Sequence, residues 1–181
     1  MTKSVREMMK NDINLIIDYF LGSGPEFLSA MGVDINKLPG KEEWSKIISD
    51  DFEQPLESKK FYYVIWQVND IPVGHSNINN IIFGKEAYMH IHLWHSHNRK
   101  RGDGSYFIKE SLFYYFQKFK LQKLFCQPYA LNPAPNRALR NVGFELIKKY
   151  ETVPGWLNFK QFVNLWVLDR DRFNDQINAK Q

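Results

Sequence analysis

Arg99-Lys100-Arg101-Gly102-Asp103-Gly104 decides the reading of this chain, because an apolar, strand-like run leads into it and an apolar helical run leaves it. Gly102 and Gly104 put no side chain in the way and reach backbone angles closed to other residues, so an anion can approach main-chain N–H groups directly. The helix that starts here adds its own unpaired N–H donors and the positive end of its dipole. Arg99, Lys100 and Arg101 add long-range attraction. A pyrophosphate is the ligand such a loop predicts.

Upstream, residues 86–94 read as a strand. In Tyr88-Met89-His90-Ile91-His92-Leu93-Trp94 the period of two places Tyr88, His90, His92 and Trp94 on one face and the aliphatic residues on the other. Two imidazoles, whose ordinary pKa lies near neutrality, therefore face the same way. Before them, 61–68 is an apolar strand, Asn69-Asp70 a turn, and 71–78 its hairpin partner. Residues 4–8 form a short first strand. A helix capped by Asn11 or Asp12 follows, with Ile13, Ile16, Ile17 and Phe20 on one face, and stops at Gly22-Ser23-Gly24-Pro25. Two further helices over 25–31 and 41–52, the latter with Trp44, Ile47 and Ile48 at helical spacing, complete a helical first third.

Downstream of the glycines, 106–119 is a helix whose broad apolar face carries Phe107, Ile108, Leu112, Tyr115, Phe116 and Phe119. A short strand over 123–128 leads to the loop Asn132-Pro133-Ala134-Pro135-Asn136. A short helix then runs from Pro135 or Asn136 to Asn141, with Gly143 closing it. The last strands, 144–152 and 159–169, are joined through Pro154-Gly155, and from Arg170 a polar, frayed tail is expected.

A chain of 181 residues with 44% hydrophobic and 15% aromatic residues is one folded domain, well outside disordered composition. No apolar run approaches the roughly 18 residues of a membrane span, and residues 1–7 carry no signal-peptide segment. No membrane association is expected, and the cytoplasm is the expected compartment. A single cysteine, Cys126, makes no internal disulfide. The net charge of +4 suits anionic ligands and is too small to argue for nucleic acid.

Two segments agree with one family. The strand, the Arg99-x-x-Gly102-x-Gly104 loop and the long helix resemble the acetyl-coenzyme A signature of the GNAT N-acetyltransferase superfamily. Asn132, eleven residues before Gly143-Phe144, with Ala138 and Leu139 between, is similar to the family's second pattern. The resemblance covers residues 4–169, and the closing pattern looks nearest the branch of ribosomal-protein N-terminal acetyltransferases. It implies an α/β fold: a central, mostly antiparallel mixed sheet of six to seven strands, splayed between strands four and five, with helices on both faces. Acetyl-CoA is implied as co-substrate, with no metal. The acceptor is a small-molecule amine or a protein N-terminus, reached by direct attack in a ternary complex, and a homodimer is compatible with it. A non-catalytic acyl-CoA-binding module and a siderophore or antibiotic acyltransferase are the alternatives.

By position, the resemblance implies Arg99, Arg101, Gly102, Asp103, Gly104 and Ser105 as pyrophosphate contacts, Asn132 as a polar contact near the pantetheine and Asn136 as a second one. Strand N–H groups near Leu93 and Trp94 are implied for the carbonyl oxygen. His90 stands nine residues before Arg99 and Tyr88 eleven, offsets at which one branch carries two histidines and others a glutamate. His90 is therefore the expected base, with His92 or Tyr88 assisting. The family's acid tyrosine is replaced by Leu139, and Asn141 stands where a basic residue is usual; either the thiolate leaves unassisted or another tyrosine, Tyr129 or Tyr150, supplies the acid. Trp156, Asn158, Gln161 and Asn164 are expected to shape the acceptor pocket.

Three competing readings come from the residues themselves. His90, His92, His95 and His97 fall within eight residues, and a His-x-His pair on a strand can bind metal, but a third fixed ligand is lacking. Cys126 as a nucleophile conflicts with its place inside a strand. Lysines interleaved with aromatics over 109–123 suggest nucleic-acid stacking, yet the spacing puts the aromatics on the buried helix face.

Overall fold

The computed structural model describes residues 1–94 and 103–178. In chain order the elements are β1 (Lys3–Glu7), α1 (Ile13–Leu21), α2 (Pro25–Ala30), α3 (Lys41–Phe52), β2 (Tyr62–Val68), β3 (Ile71–Ile82), β4 (Glu86–Leu93), α4 (Asp103–Lys118), β5 (Lys123–Cys126), α5 (Pro133–Val142), β6 (Glu145–Thr152), β7 (Gln161–Asp169) and α6 (Arg170–Asn178). The strands form one seven-stranded sheet in the order β1-β2-β3-β4-β5-β7-β6. Among the described residues only β4 and β5 pair in parallel.

Local chemistry accounts for the connections. Asn69 and Asp70 both hold positive φ, 49° and 63°, as a two-residue hairpin turn between β2 and β3 requires. Gly143, at φ 96°, ends α5 in the left-handed conformation, and Phe144 N–H reaches back to Leu139 O at 3.1 Å.

Each face of the sheet is covered. On one, α4 lays Phe107, Ile108, Leu112, Tyr115 and Phe116 against Val64, Trp66, Met89, Leu124 and Trp166. Trp66 stacks on Phe107 at 5.2 Å and its indole N–H donates to Ser111 Oγ at 2.9 Å. On the other, α1–α3 pack Ile16, Ile17, Phe20, Leu28, Trp44 and Ile48 over Ile65. Phe107, Tyr115 and Phe116 of α4, and Phe119 after it, are interior, as the spacing predicted, while Tyr106 and Phe113 are exposed, as are Lys109 and Lys118.

Several expectations shift. Residues from Arg170 form α6 rather than a frayed tail. Phe173 stacks on Phe116 at 4.4 Å, and the Arg170 guanidinium donates to Leu121 O and Phe116 O at 2.7 and 2.8 Å. Two buried carbonyls and one ring thus hold a segment whose composition is otherwise polar. The helix expected from Pro135 or Asn136 starts at Pro133 with Asn132 as its cap, since a proline is tolerated in the first turn. Among the described residues no helix is long and apolar enough to cross a membrane.

Candidate active site

The parallel pairing of β4 with β5 runs only from Glu86↔Lys123 to Met89↔Cys126, although β4 continues to Leu93. The reason is that the chain beyond Cys126 follows β7. Tyr129 bridges Val163, Ala130 N–H donates to Phe162 O at 2.9 Å and Asn164 N–H to Pro128 O at 3.2 Å, while Pro128 itself has no N–H to offer β4. From His90 onward the sheet therefore splays, as the resemblance implied. Trp94 N–H donates to Val73 O at 2.9 Å, and antiparallel alternation then turns the N–H groups of Ile91 and Leu93 to the edge that β5 has left.

A cleft of about 150 Å³ opens at this splay, lined by His90, Ile91 and His92 of β4, Gln127–Tyr129 after β5, and the 154–158 linker between β6 and β7. α1 and α3 close it with Ile16, Phe20 and Trp44. Three imidazoles share it, and one of them, His75 on β3, was missed in the sequence. His75 pairs with His92 across the β3–β4 register, and their rings stack at 4.7 Å and 19°. Trp94 Nε1–H donates to His75 Nδ1 at 2.8 Å, which fixes the His75 proton on Nε2. His75 Nε2, His90 Nε2 and His92 Nδ1 are out of reach of solvent and have no hydrogen-bond partner.

Burial decides the charge of this cluster. It pushes His90 down to about 4 and His92, which also faces His90, to about 3. His75 is lowered well below its ordinary value, again mainly by burial and then by its two imidazole neighbours. Tyr19 and Phe20 of α1 pack edge-on against His92 at 5.7 and 5.0 Å and supply that burial. All three rings are neutral at pH 7, with pKa values below the neutral range expected from sequence.

The remaining expected residues divide. Trp156, Asn158, Gln161, Asn132 and Tyr129 line the cleft with His90 and His92. Trp156 packs edge-on against Trp44 at 5.9 Å. Gln161 donates from Nε2 to Gly32 O at 2.8 Å, and its Oε1 is buried without a partner. Tyr88 is a correction. It lies where β4 and β5 are still paired, opposite Phe125, on which it stacks at 5.2 Å, and so outside the cleft. Trp94 is another, since its N–H is already spent on Val73 O; Leu93 lies on the same side of β4 as Ile91.

Asn136 and Asn164 are also corrected, from ligand contacts to internal supports. The Asn136 amide donates to Tyr129 O and Asn132 O at 3.1 and 2.7 Å, and its carbonyl accepts from Asn164 and Trp166 at 2.8 Å each. Four bonds saturate it. Tyr150 holds its hydroxyl against the Gln127 amide and does not line the cleft. Leu139 is fully buried in the core, so its helix offers no acid at that position. Cys126 is buried and its thiol is pushed up to about 12, which keeps it protonated and inert.

Arg99, Arg101 and Gly102, with His95 and His97, lie outside the described residues. Asp103 opens α4, is buried and is ion-paired with Lys3. At Gly104 a Cβ would meet nothing within 4 Å, so the first turn of α4 presents an open backbone surface there, fit for a phosphate, and Ser105 follows on the same turn. Among the described residues no three His, Cys, Asp or Glu side chains are placed to hold a metal ion.

No family model matches the chain and no curated protein sequence matches it. Solved structures do. The chain is similar to a spermidine N-acetyltransferase from Vibrio cholerae in complex with coenzyme A and spermine, at TM-score 0.77 and 12% identity, over 95% of this chain and 98% of that one. A ribosomal L7/L12 alpha-N-protein acetyltransferase in complex with coenzyme A superposes at TM-score 0.75 and 16% identity, over 95% and 96%. An aminoglycoside acetyltransferase in complex with coenzyme A does so at 0.73 and 12%, over 97% and 99%. The fold is that of the GNAT acetyltransferases.

Proposed function

We propose that this chain is a cytoplasmic acetyl-CoA-dependent N-acetyltransferase, in which a primary amine attacks the thioester directly in a ternary complex. One observation carries the reading: the sheet opens at His90, so that a strand edge with outward N–H groups, an unpartnered neutral imidazole and an uncharged chamber meet in one cleft. The start of α4 supports it as the anion end. There the backbone N–H groups of Asp103, Gly104 and Ser105 bind the pyrophosphate, with Arg99, Arg101 and Gly102 contributing from the preceding loop. Asn132 contacts the pantetheine from the opposite wall of the splay.

The chemistry follows from the charges. Ile91 N–H donates to the thioester carbonyl oxygen as negative charge develops on it, an effect of about 10²–10³ in rate for such donors. His90, with a pKa near 4, is too weak to strip a proton from a free alkylammonium, so the amine enters neutral and donates a hydrogen bond to His90 Nε2 once the ring turns that buried atom into the cleft. Once the C–N bond has formed, the nitrogen becomes strongly acidic and His90 takes its proton. Tyr129, the one expected acid that lines the cleft, supplies a proton to the departing thiolate. His75 and Trp94 position His92, and through it the imidazole face.

The test combines isothermal titration of coenzyme A with thiol release from acetyl-CoA in the presence of primary amines. Binding together with amine-dependent thiol release is expected. Binding without release from any amine favours the binding module, and absence of binding overturns both.

A further inference from the structure

Among the described residues, the acceptor end of the cleft is assembled from uncharged groups. Its walls are Phe20, Trp44, Phe61, Trp156 and neighbouring aliphatics; its polar atoms belong to Asn, Gln and Tyr side chains and to the three histidines, which burial keeps neutral. Among the described residues no Asp, Glu, Lys or Arg lines it. Residues 95–102 and 179–181, outside the described residues, contain no Asp or Glu in the sequence.

Carboxylates near its walls are already engaged. Asp51, behind Phe61 and Tyr63, accepts from the N–H groups of Lys60 and Phe61 at 2.7 and 3.0 Å. Asp34, bonded through its backbone to Leu157 O, accepts from Asn36 N–H at 3.1 Å. The charged side chain that does reach the 154–158 linker is a cation, Lys37, which donates to Asn158 O at 2.7 Å.

An ammonium desolvated in such a chamber has no counter-charge, and an ammonium left unpaired in a low-dielectric site is strongly disfavoured. A polyamine or aminoglycoside brings several ammonium groups, of which only the reacting one can enter neutral. The aromatic walls instead recover free energy from an apolar body. The cleft, at about 150 Å³, is below the roughly 300–1,000 Å³ of pockets for drug-sized ligands, which points to a small body.

Resting on the transferase reading above, we infer that the acceptor is a small monoamine whose remaining body is uncharged and aromatic or aliphatic, not a polyamine, an aminoglycoside or a peptide. In the reaction the amine nitrogen forms the new C–N bond, the C–S bond breaks, and the proton lost by nitrogen is balanced by the one gained by the thiolate.

Matched acceptors test it with the full chain: hexylamine against 1,6-diaminohexane, phenethylamine against spermidine, and a short peptide with an uncharged N-terminal residue, each by thiol release and product mass. The monoamines are expected to exceed their partners at least about tenfold in kcat/KM, the factor that corresponds to about 1.4 kcal/mol. In Trp156→Glu, where the native side chain is 44% exposed and a carboxylate stays solvated and charged, the diamine-to-monoamine ratio is expected to rise by about tenfold, as for one charge-assisted hydrogen bond. Equal or better turnover of the diamine, spermidine or the peptide by the unaltered chain overturns the inference and leaves the transferase reading intact. An unchanged ratio in Trp156→Glu also overturns it. No thiol release together with no coenzyme A binding overturns the reading on which it rests.

Discussion

Lowering the pH from 7 to 5 should destabilise this protein through His75, His90 and His92. In the unfolded chain each histidine has a pKa near 6.5 and gains most of a proton over this interval. In the folded chain His90 and His92 titrate at about 4 and about 3, and His75 well below its ordinary value, so none gains one. The unfolded state then binds more protons, and stability rises with pH; it is fully present above about 6.5 and is lost as pH falls toward the folded values. At pH 5 His90 and His92 each account for a loss of about 2 kcal/mol relative to pH 7, about 4 kcal/mol together, and His75 adds to it in the same direction, against a typical total of roughly 5–15 kcal/mol. Urea unfolding followed by tryptophan fluorescence at pH 7, 6 and 5 measures it, and His92→Gln should remove about 2 kcal/mol of the loss. A stability that is flat across the interval, or a loss that His92→Gln leaves intact, refutes the claim that these rings are held neutral by burial.

The same neutral state fixes the kinetics. His90→Ala should lower kcat by about 10²–10⁴, while the pH profile of kcat/KM keeps an inflection set by the amine; a wild-type inflection near 6.5 that vanishes in the variant would contradict this. Gly74→Ala places a Cβ 2.5 Å from His92 O and 3.0 Å from Trp66 Cε3. It should cost about 1–3 kcal/mol of stability by overpacking and reduce kcat by displacing β4; normal kcat with unchanged Tm would sink that account of β3–β4 contact. Asn136→Ala strands the Asn164 amide and the Trp166 indole N–H and should cost about 3 kcal/mol in chemical denaturation. Unchanged stability with weakened coenzyme A binding would instead return Asn136 to the ligand.

Element identity was legible because it is local. The period of two in 86–94, the helical spacing in 106–119, the Asn69-Asp70 turn and Gly143 after α5 each depend on neighbours within a few residues. The splayed sheet was implied by the resemblance that the glycine loop and the Asn132…Gly143-Phe144 spacing carry. What stayed hidden is carried by contacts distant in sequence. His75 enters the site only through its pairing with His92, and the depressed pKa values come from α1 residues more than fifty positions away. Tyr88 leaves the site because β4 and β5 remain paired at its level, which a face assignment alone does not show. Asn136 reads as a ligand contact until its four partners, drawn from the Tyr129–Asn132 turn and β7, are counted. α6 is polar in composition and is recognisable only through Phe173 on Phe116.

The central claim is that the opening of α4 holds the anionic end of coenzyme A, and Gly104→Val tests it directly. The position has open space around its Cα, with nothing within 4 Å of a Cβ, so the fold should tolerate the side chain while the approach to the backbone N–H groups is filled. Isothermal titration with coenzyme A, alongside a thermal melt of the same sample, is the measurement. The account predicts clear binding by the unaltered chain and affinity weakened at least about tenfold in the variant, by loss of close phosphate contacts, with Tm little changed. Equal affinity in both proteins, or no binding by the unaltered chain, would contradict it.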